Sequence, residues 1–212
     1  MKSRPILFSA PMVRALLDGS KTQTRRVIKP QPDHRGVFEP AMAPGIGSRI
    51  NKWAIRTDIG FKLIKCPYGR IGDLLYVRET IDALCGCDAT YLADDNRLVD
   101  AHPEKWDVWR DGRDLKPKTI PSIFMPRWAS RLTLEVTNIR AERLHEISEN
   151  DALAEGCKGN IDGLELPSEQ YRDLWKSING KKSWDVNPWV WVVEFKVHHK
   201  NVDALLAERK AA

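Results

Sequence analysis

The sequence contains no run of about 18 apolar residues, so it predicts no membrane-spanning helix. The apolar stretch near its beginning stops at Pro11 and is too short for the core of a secretory signal peptide. Only four cysteines occur in 212 residues. Without a secretion signal, so few cysteines are typical of reduced thiols in the cytoplasm. We therefore expect a cytoplasmic protein with no membrane partner.

The common metal and phosphate motifs are also missing or incomplete. Zinc sites usually pair their ligands as C-x(2–4)-C, whereas one residue separates Cys85 from Cys87 and no second pair follows. Cys66 and His102 are the other candidate ligands, but the downstream P-C-x-x-C of zinc deaminases is absent. There is no G-x-x-x-x-G-K-[ST] loop and no G-x-S-x-G elbow. We expect no metal and no cofactor.

What the sequence does contain is enough apolar surface for a core and an uneven distribution of charge. Apolar residues make up 42% and charged residues 30% of the chain, which is typical of a globular domain. Residues 1–35 carry eight Lys or Arg against two Asp, a net charge of +6, whereas the whole chain carries +5. Such a basic segment on a near-neutral body indicates an anionic ligand at one place, although stray basic residues near an N-terminus are common.

Hydrophobic periodicity predicts a mixture of strands and short helices. Strands are expected at residues 4–8, within 52–65, at 74–79, 131–137 and 189–197, and helices at 10–18, 148–156, 168–179 and 202–210. The helices do not alternate with the strands in a regular βαβ pattern, which favours a small α+β barrel. We expect one domain over residues 1–200 and a tail over 201–212. Two loop insertions are expected, at about 30–65 and at 82–122, where the sequence is polar and irregular.

One segment of the basic region, residues 19–26, has a composition suited to catalysis. In an extended conformation Lys21 shares a face with Gln23 and Arg25, while a turn at Lys21 would let it approach Thr24. A lysine beside a hydroxyl group can act as its base if burial or neighbouring cations lower the lysine pKa. The alternative interpretation is a basic loop after a helix, with a solvated lysine.

Four motifs in this order resemble the ASCH domain family, which shares a β-barrel fold with PUA RNA-binding domains. They are Gly19-x-Lys21-Thr22-x-Thr24-x-Arg26, Gly72-Asp73-Leu74-Leu75-x-Val77-Arg78, the capped segment Ser148–Gly156, and the aromatic strand Trp189–Phe195. Other segments, such as Cys66-Pro67-Tyr68-Gly69, resemble a larger ASCH-containing type common in bacteriophages and prophages. The resemblance implies a PUA-like small β-barrel with flanking short helices.

A small bacterial member of this family is an N(4)-acetylcytidine amidohydrolase, and the resemblance carries its catalytic groups onto this chain. It implies Lys21 as the base, Thr24 as the nucleophile and Glu155 as the acidic partner, with Glu149 as a nearby competitor for that last role. Arg26, or a backbone N–H near Thr24, is then the expected oxyanion donor. The substrate is expected to be a modified nucleoside or RNA.

The remaining expected contacts are with the substrate. We assign substrate binding to five residues: Thr22, Arg25, Arg26, Tyr76 and Arg78. An aromatic side chain is expected to stack on the base, with candidates Tyr76, Trp128, Trp189 and Trp191. Two alternatives use the same cleft: a non-catalytic PUA-like module that binds RNA or a modified nucleotide, and a ribonuclease.

Overall fold

The computed structural model describes residues 2–32, 38–40, 53–57, 60–85, 88–101, 103–111, 118–160 and 163–211. The predicted mixture of strands and helices is confirmed, and the fold is mixed α+β. The strands are β1 (Ser3–Leu7), β2 (Gln23–Val27), β3 (Phe38–Pro40), β4 (Trp53–Thr57), β5 (Gly60–Ile64), β6 (Leu74–Arg78), β7 (Ile81–Cys85), β8 (Asp88–Tyr91), β9 (Lys118–Ile120), β10 (Thr133–Arg143) and β11 (Trp189–His198). The α-helices are α1 (Ala10–Leu17), α2 (Leu98–Ala101), α3 (Pro103–Asp111), α4 (Glu149–Ala154), α5 (Pro167–Asn179) and α6 (Val202–Ala211).

The main sheet has five strands in the order β1-β6-β10-β11-β2. β1 and β6 are parallel, whereas β10 pairs antiparallel with β6, and β11 pairs antiparallel with β2. Within the described residues the strand order ends at β1 on one edge and at β2 on the other. The sheet is therefore open, and the closed barrel expected from the sequence is wrong for this part of the chain.

Both expected insertions contain regular structure where they are described. Strands β3, β4 and β5 form one antiparallel sheet, which confirms the strands expected within 52–65. Strands β8, β7 and β9 form another, so the expectation of irregular structure over 82–122 is wrong. Although this segment is polar in sequence, it contributes to a small apolar core in which Ile81, Tyr91, Trp106 and Ile120 are buried together. Most of the Pro- and Gly-rich stretch over 30–50 lies outside the described residues.

The chain divides into two compact units. Unit 1 comprises Met1–Gly19, Leu74–Glu135 and Val197–Ala212, and unit 2 comprises Ser20–Asp73 and Val136–Lys196. In unit 1, besides the Trp106 cluster, Val202 and Leu205 of α6 pack on Leu74. The expected amphipathic tail helix is thereby confirmed. In unit 2, Tyr171 and Trp175 of α5 pack with the buried valines of β11.

Local signals set the helix ends. Gly19, with φ of 77°, follows α1 in the left-handed region that glycine tolerates. The predicted capping box at α4 is confirmed, since Ser148 and Asp151 bond to each other's backbone N–H groups. Helix α5 begins one residue before the predicted 168–179, because Pro167 occupies its first position and Leu166 is its cap residue. No helix within the described ranges is long and apolar enough to span a membrane.

Replacement of Leu134 by Ala tests the core of the main sheet. Leu134 is fully buried in β10 opposite Leu75, whereas Leu164 is 83% exposed. We expect Leu134→Ala to lower the free energy of unfolding by about 2–5 kcal/mol, because it removes buried methyl groups and leaves a cavity. Leu164→Ala is the matched control and is expected to change it by less than about 0.5 kcal/mol. Urea unfolding measures both, and equal losses would contradict this packing.

Candidate active site

Lys21 lies between the end of α4 and strand β11, in unit 2. It forms an isolated antiparallel β-bridge with Glu155. Thr22, the next residue, extends this pairing on both sides. Its backbone N–H donates to the Ala154 carbonyl (2.8 Å), and the Phe195 N–H donates to the Thr22 carbonyl (2.9 Å). The short helix α4 ends at Glu155, so its C-cap residue is delivered beside Lys21.

The side chains of Lys21 and Glu155 form a buried ion pair. Lys21 Nζ lies 2.6 Å from Glu155 Oε2 and also donates to the Glu155 carbonyl at 2.9 Å. The exposed fractions of the two side chains are 0% and 2%. Lys21 is therefore buried and paired, and it is not the solvated lysine of the alternative interpretation. Of the two candidate glutamates, Glu155 lies beside Lys21, whereas the exposed Glu149 bonds to the Oγ and backbone N–H of Ser168.

Burial also changes the protonation of this lysine. The pKa of Lys21 lies below its ordinary value, chiefly because burial removes the ammonium group from water. The negative charge of Glu155 opposes this effect, and the positive charge of Arg26 adds to it. Burial also raises the pKa of the neighbouring Cys157 thiol to about 11. The surroundings therefore favour the neutral amine more than water does.

Arg25 contacts the second oxygen of the same carboxylate. Its Nη1 lies 3.4 Å from Glu155 Oε1 and 2.5 Å from Gln23 Oε1. Its Nε and Nη2 donate to Glu142 Oε1 at 3.0 and 2.6 Å, and Nη2 also lies 3.3 Å from Asp151 Oδ2. These five contacts match the five N–H donors of a guanidinium group. The side chain is fully buried.

A second arginine, Arg140, ties together the carboxylates around Arg25. It donates to Glu142 at 2.9 Å and to Asp151 at 2.6 Å, and it also bonds to Glu194. Partial burial favours protonation of Asp151. Even so, hydrogen bonds from Gln23 and from Ser148, together with the charge of Arg25, hold the pKa of Asp151 well below its usual range. The carboxylate therefore stays charged at neutral pH and anchors both arginines.

Three further residues of the 19–26 motif, Thr22, Thr24 and Arg26, lie in different surroundings. Thr24 is buried in β2 opposite Val193 of β11, and Arg26 is half-buried opposite Trp191. Thr22 is exposed. It lines a cavity of about 240 Å³ whose other lining residues are Gln23, Thr137, Ala154, Glu194 and Phe195. The motif thus contributes both buried groups and one wall of an accessible cavity.

Two of the expected substrate contacts, Tyr76 and Arg78, belong to unit 1. There the guanidinium of Arg127 lies over the Tyr76 ring, 5.0 Å from its centroid. Arg78 Nε donates to the Met125 carbonyl at 2.7 Å. Both side chains are half-buried and are engaged by residues of their own unit.

The candidate stacking tryptophans also differ in their surroundings. Trp191 is buried and meets Trp53 edge to face, with ring centroids 5.2 Å apart. The guanidinium of Arg143 lies 4.8 Å from the ring centroid of Trp189. Trp128 lines a cavity of about 620 Å³ in unit 1 together with Trp109.

The residues around Arg25 and Arg140 were not predicted from the sequence. Glu142 and Arg140 lie on β10, Glu194 on β11 and Tyr171 on α5. Arg140 and Glu142 are two apart and so share a face of their strand, which is the one local signal available. Nothing local indicates that this face meets β2.

The zinc candidates remain unsupported. Cys87 and His102 lie outside the described residues, and Cys66 is buried without a disulfide. Among the described residues no group of three or more His, Cys, Asp or Glu is arranged to hold a metal ion.

Comparison with known proteins adds no relative. No protein-family model matches the sequence, and no curated protein and no solved structure matches it significantly. The resemblance to the ASCH family therefore rests on the sequence motifs themselves.

Replacement of Lys21 by Met tests whether the pair is buried as described. Lys21→Met leaves the Glu155 carboxylate without one of its cations, and losing one partner of a buried pair typically costs about 3–5 kcal/mol. Lys200 forms the matched control, because its pair with Glu208 (2.8 Å) has exposed fractions of 52% and 54%. Lys200→Met should cost less than about 1 kcal/mol. Denaturant unfolding distinguishes the two, and similar losses would contradict the burial of Lys21.

Proposed function

We propose that this protein is an amidohydrolase that removes the acyl group from N(4)-acetylcytidine or a related acylated nucleobase. The observation that carries the proposal is the buried Lys21, 2.6 Å from the Glu155 carboxylate and with a pKa below its ordinary value. Amide hydrolysis needs a base for the nucleophile, and a lysine can supply it only as the neutral amine. The family motifs around Lys21, Thr24 and Glu155 supply the substrate class.

In the proposed reaction Lys21 removes the proton from Thr24 Oγ1, and that oxygen attacks the acyl carbonyl. Collapse of the tetrahedral intermediate breaks the bond from the carbonyl carbon to the exocyclic nitrogen, and the Lys21 ammonium returns its proton to that leaving nitrogen. Water then attacks the acyl carbon of the acyl-threonine and loses a proton to Lys21, which is paired with Glu155. The bond from that carbon to Thr24 Oγ1 breaks, Lys21 returns the proton to Oγ1, and the carboxylic acid is released. Arg26, or a backbone N–H near Thr24, stabilises the oxyanion, and losing such a donor typically costs about 2.7–4 kcal/mol.

Substrate access fits the cavity beside the pair. Lys21, Thr24 and Glu155 are almost fully buried, so the acyl group has to reach them from a neighbouring opening. The cavity of about 240 Å³ is lined by Thr22 and Ala154, which directly follow Lys21 and precede Glu155 in the chain. We propose that the acylated base enters there, with Thr22 as a binding residue.

The same geometry makes the two alternatives weaker. A module that binds RNA through phosphates needs exposed cations, whereas Lys21 and Arg25 are buried and paired with carboxylates. A ribonuclease faces the same difficulty at this site.

The proposal further includes a PUA-like assignment for the α+β fold and a cytoplasmic location, both carried by the sequence alone.

Hydrolysis of N(4)-acetylcytidine by wild type and Lys21 variants tests the proposal. We expect turnover by wild type and a loss of at least about a hundredfold in Lys21→Ala, since a general base contributes that much. Lys21→Arg should lose as much, because a guanidinium stays protonated. Chromatography of cytidine release measures the rates, and thermal unfolding checks that each variant is folded. Absence of turnover in folded wild type would overturn the proposal, and binding of RNA unaffected by Lys21→Arg would favour the binding module.

Matched threonine variants separate the nucleophile from the cavity wall. Thr24→Val removes the proposed nucleophile and should abolish kcat. Thr22→Val makes the same change two residues away, and it should raise KM while leaving kcat largely intact because Thr22 only contacts the bound substrate. Equal losses of kcat in both variants would argue against Thr24 as the nucleophile.

The pH dependence follows from the protonation of Lys21. Its pKa is lowered by burial, so the active neutral form appears as pH rises through that lowered pKa. We expect kcat/KM to increase with pH and to level off below 10.5, the ordinary value. A profile that keeps rising beyond that value would contradict the role of Lys21 as a buried base.

A further inference from the structure

Arg25 is buried at the centre of the charged groups, yet the proposed reaction assigns it no step. The sequence suggested that it binds substrate, but its five N–H donors meet Gln23, Glu142, Asp151 and Glu155. Its side chain is fully buried, and its guanidinium lies 5.9 Å from the ring centroid of Tyr171. A substrate would have to break one of these contacts to reach it.

We propose that Arg25 is a positioning residue, which holds one oxygen of Glu155 so that the other oxygen faces the Lys21 amine, and which shares the negative charge of that carboxylate. The expected effect of Arg25 on the reaction rate rests on the proposed function. The expected effect of Arg25 on the protonation of Lys21 does not, because it is measured on the protein without substrate.

The two oxygens of Glu155 have different partners. Oε2 accepts from Lys21 at 2.6 Å and Oε1 meets Arg25 at 3.4 Å, so the carboxylate bridges the two cations. A carboxylate bonded to one cation alone stabilises an ammonium more than a carboxylate shared between two. Arg25 therefore reduces the stabilisation of the protonated form of Lys21 and favours the amine that the base needs.

The position of Arg25 is itself fixed by groups from three elements. Glu142 of β10 accepts from both Nε and Nη2, Asp151 of α4 lies 3.3 Å from Nη2, and Gln23 of β2 accepts from Nη1. Arg140 bonds to Glu142 and Asp151 and holds them in turn. This set of contacts leaves the guanidinium little freedom to rotate away from Glu155.

Glu155 and the buried Cys157 favour the Lys21 ammonium, whereas the positive charge of Arg26 disfavours it. Removal of Arg25 leaves Glu155 to Lys21 and should raise the pKa of Lys21. Removal of the Glu142 charge leaves more of the Arg25 charge to Glu155 and should lower it. The two changes thus have opposite signs.

The experiment is an NMR titration of lysine side chains in protein labelled with ¹³C-lysine, with the Lys21 signal assigned by its absence in Lys21→Met. We expect Arg25→Met to move the Lys21 titration to higher pH and Glu142→Gln to move it to lower pH. Arg172→Met is the control, because Arg172 lies on α5 and pairs with the exposed Asp173. It should leave the titration unchanged. Since Glu142 is partly exposed, Glu142→Gln keeps the test available if Arg25→Met does not fold.

The rate gives a second measurement. On the acid limb of the pH profile, Arg25→Met should be slower than wild type by roughly tenfold, and the deficit should shrink at high pH where Lys21 is neutral in both. A merely structural role would lower the rate equally at every pH. An unchanged Lys21 titration in folded Arg25→Met, or shifts of the same sign in both variants, would overturn the inference. If wild type hydrolyses no acylated base, the proposed function fails while the NMR titration still decides the role of Arg25.

Discussion

Removing an ammonium group and a carboxylate from water is costly, and the contact between Lys21 and Glu155 is the point on which this structure depends. The penalty for each buried ion is several kcal/mol, and it is offset only where geometry and additional hydrogen bonds are favourable. Here the additional bonds come from Arg25 and from the Glu155 backbone carbonyl. The carboxylates that surround Arg25 follow from the same requirement, because a second buried cation needs its own partners. The ion pair therefore explains why so many charges lie within one small region of unit 2.

Elements with strong local signals were predictable from the sequence. The alternation of Leu132, Leu134 and Val136 identified β10, and Ser148 with Asp151 identified the start of α4. The strands β7 to β9 were missed because their core is small and their surface is rich in Asp. Barrel closure was expected both from the order of strands and helices and from the resemblance. It depends on which edges pair, and no property of a single strand determines that.

The candidate site was predictable only in its local part. Alternation placed Lys21, Gln23 and Arg25 on one face, and the contacts of Arg25 with Gln23 and Glu155 are consistent with that placement. The resemblance implied Glu155 with Glu149 as a competitor. Local sequence does not decide between them, because both lie near α4 and differ in how the helix end meets residue 21. The positions of Glu142 and Arg140 depend on strand pairing at long range and had no local signal.

A structural role alone does not account for this arrangement. Replacing a buried ion pair by apolar residues of similar volume is often neutral or stabilising, so stability by itself does not call for Lys21 and Glu155. Burial also lowers the pKa of Lys21, although the Glu155 carboxylate opposes that shift. One carboxylate shared between two cations and a pKa of Lys21 lowered by burial fit the proposed general base, which has to gain and lose its proton.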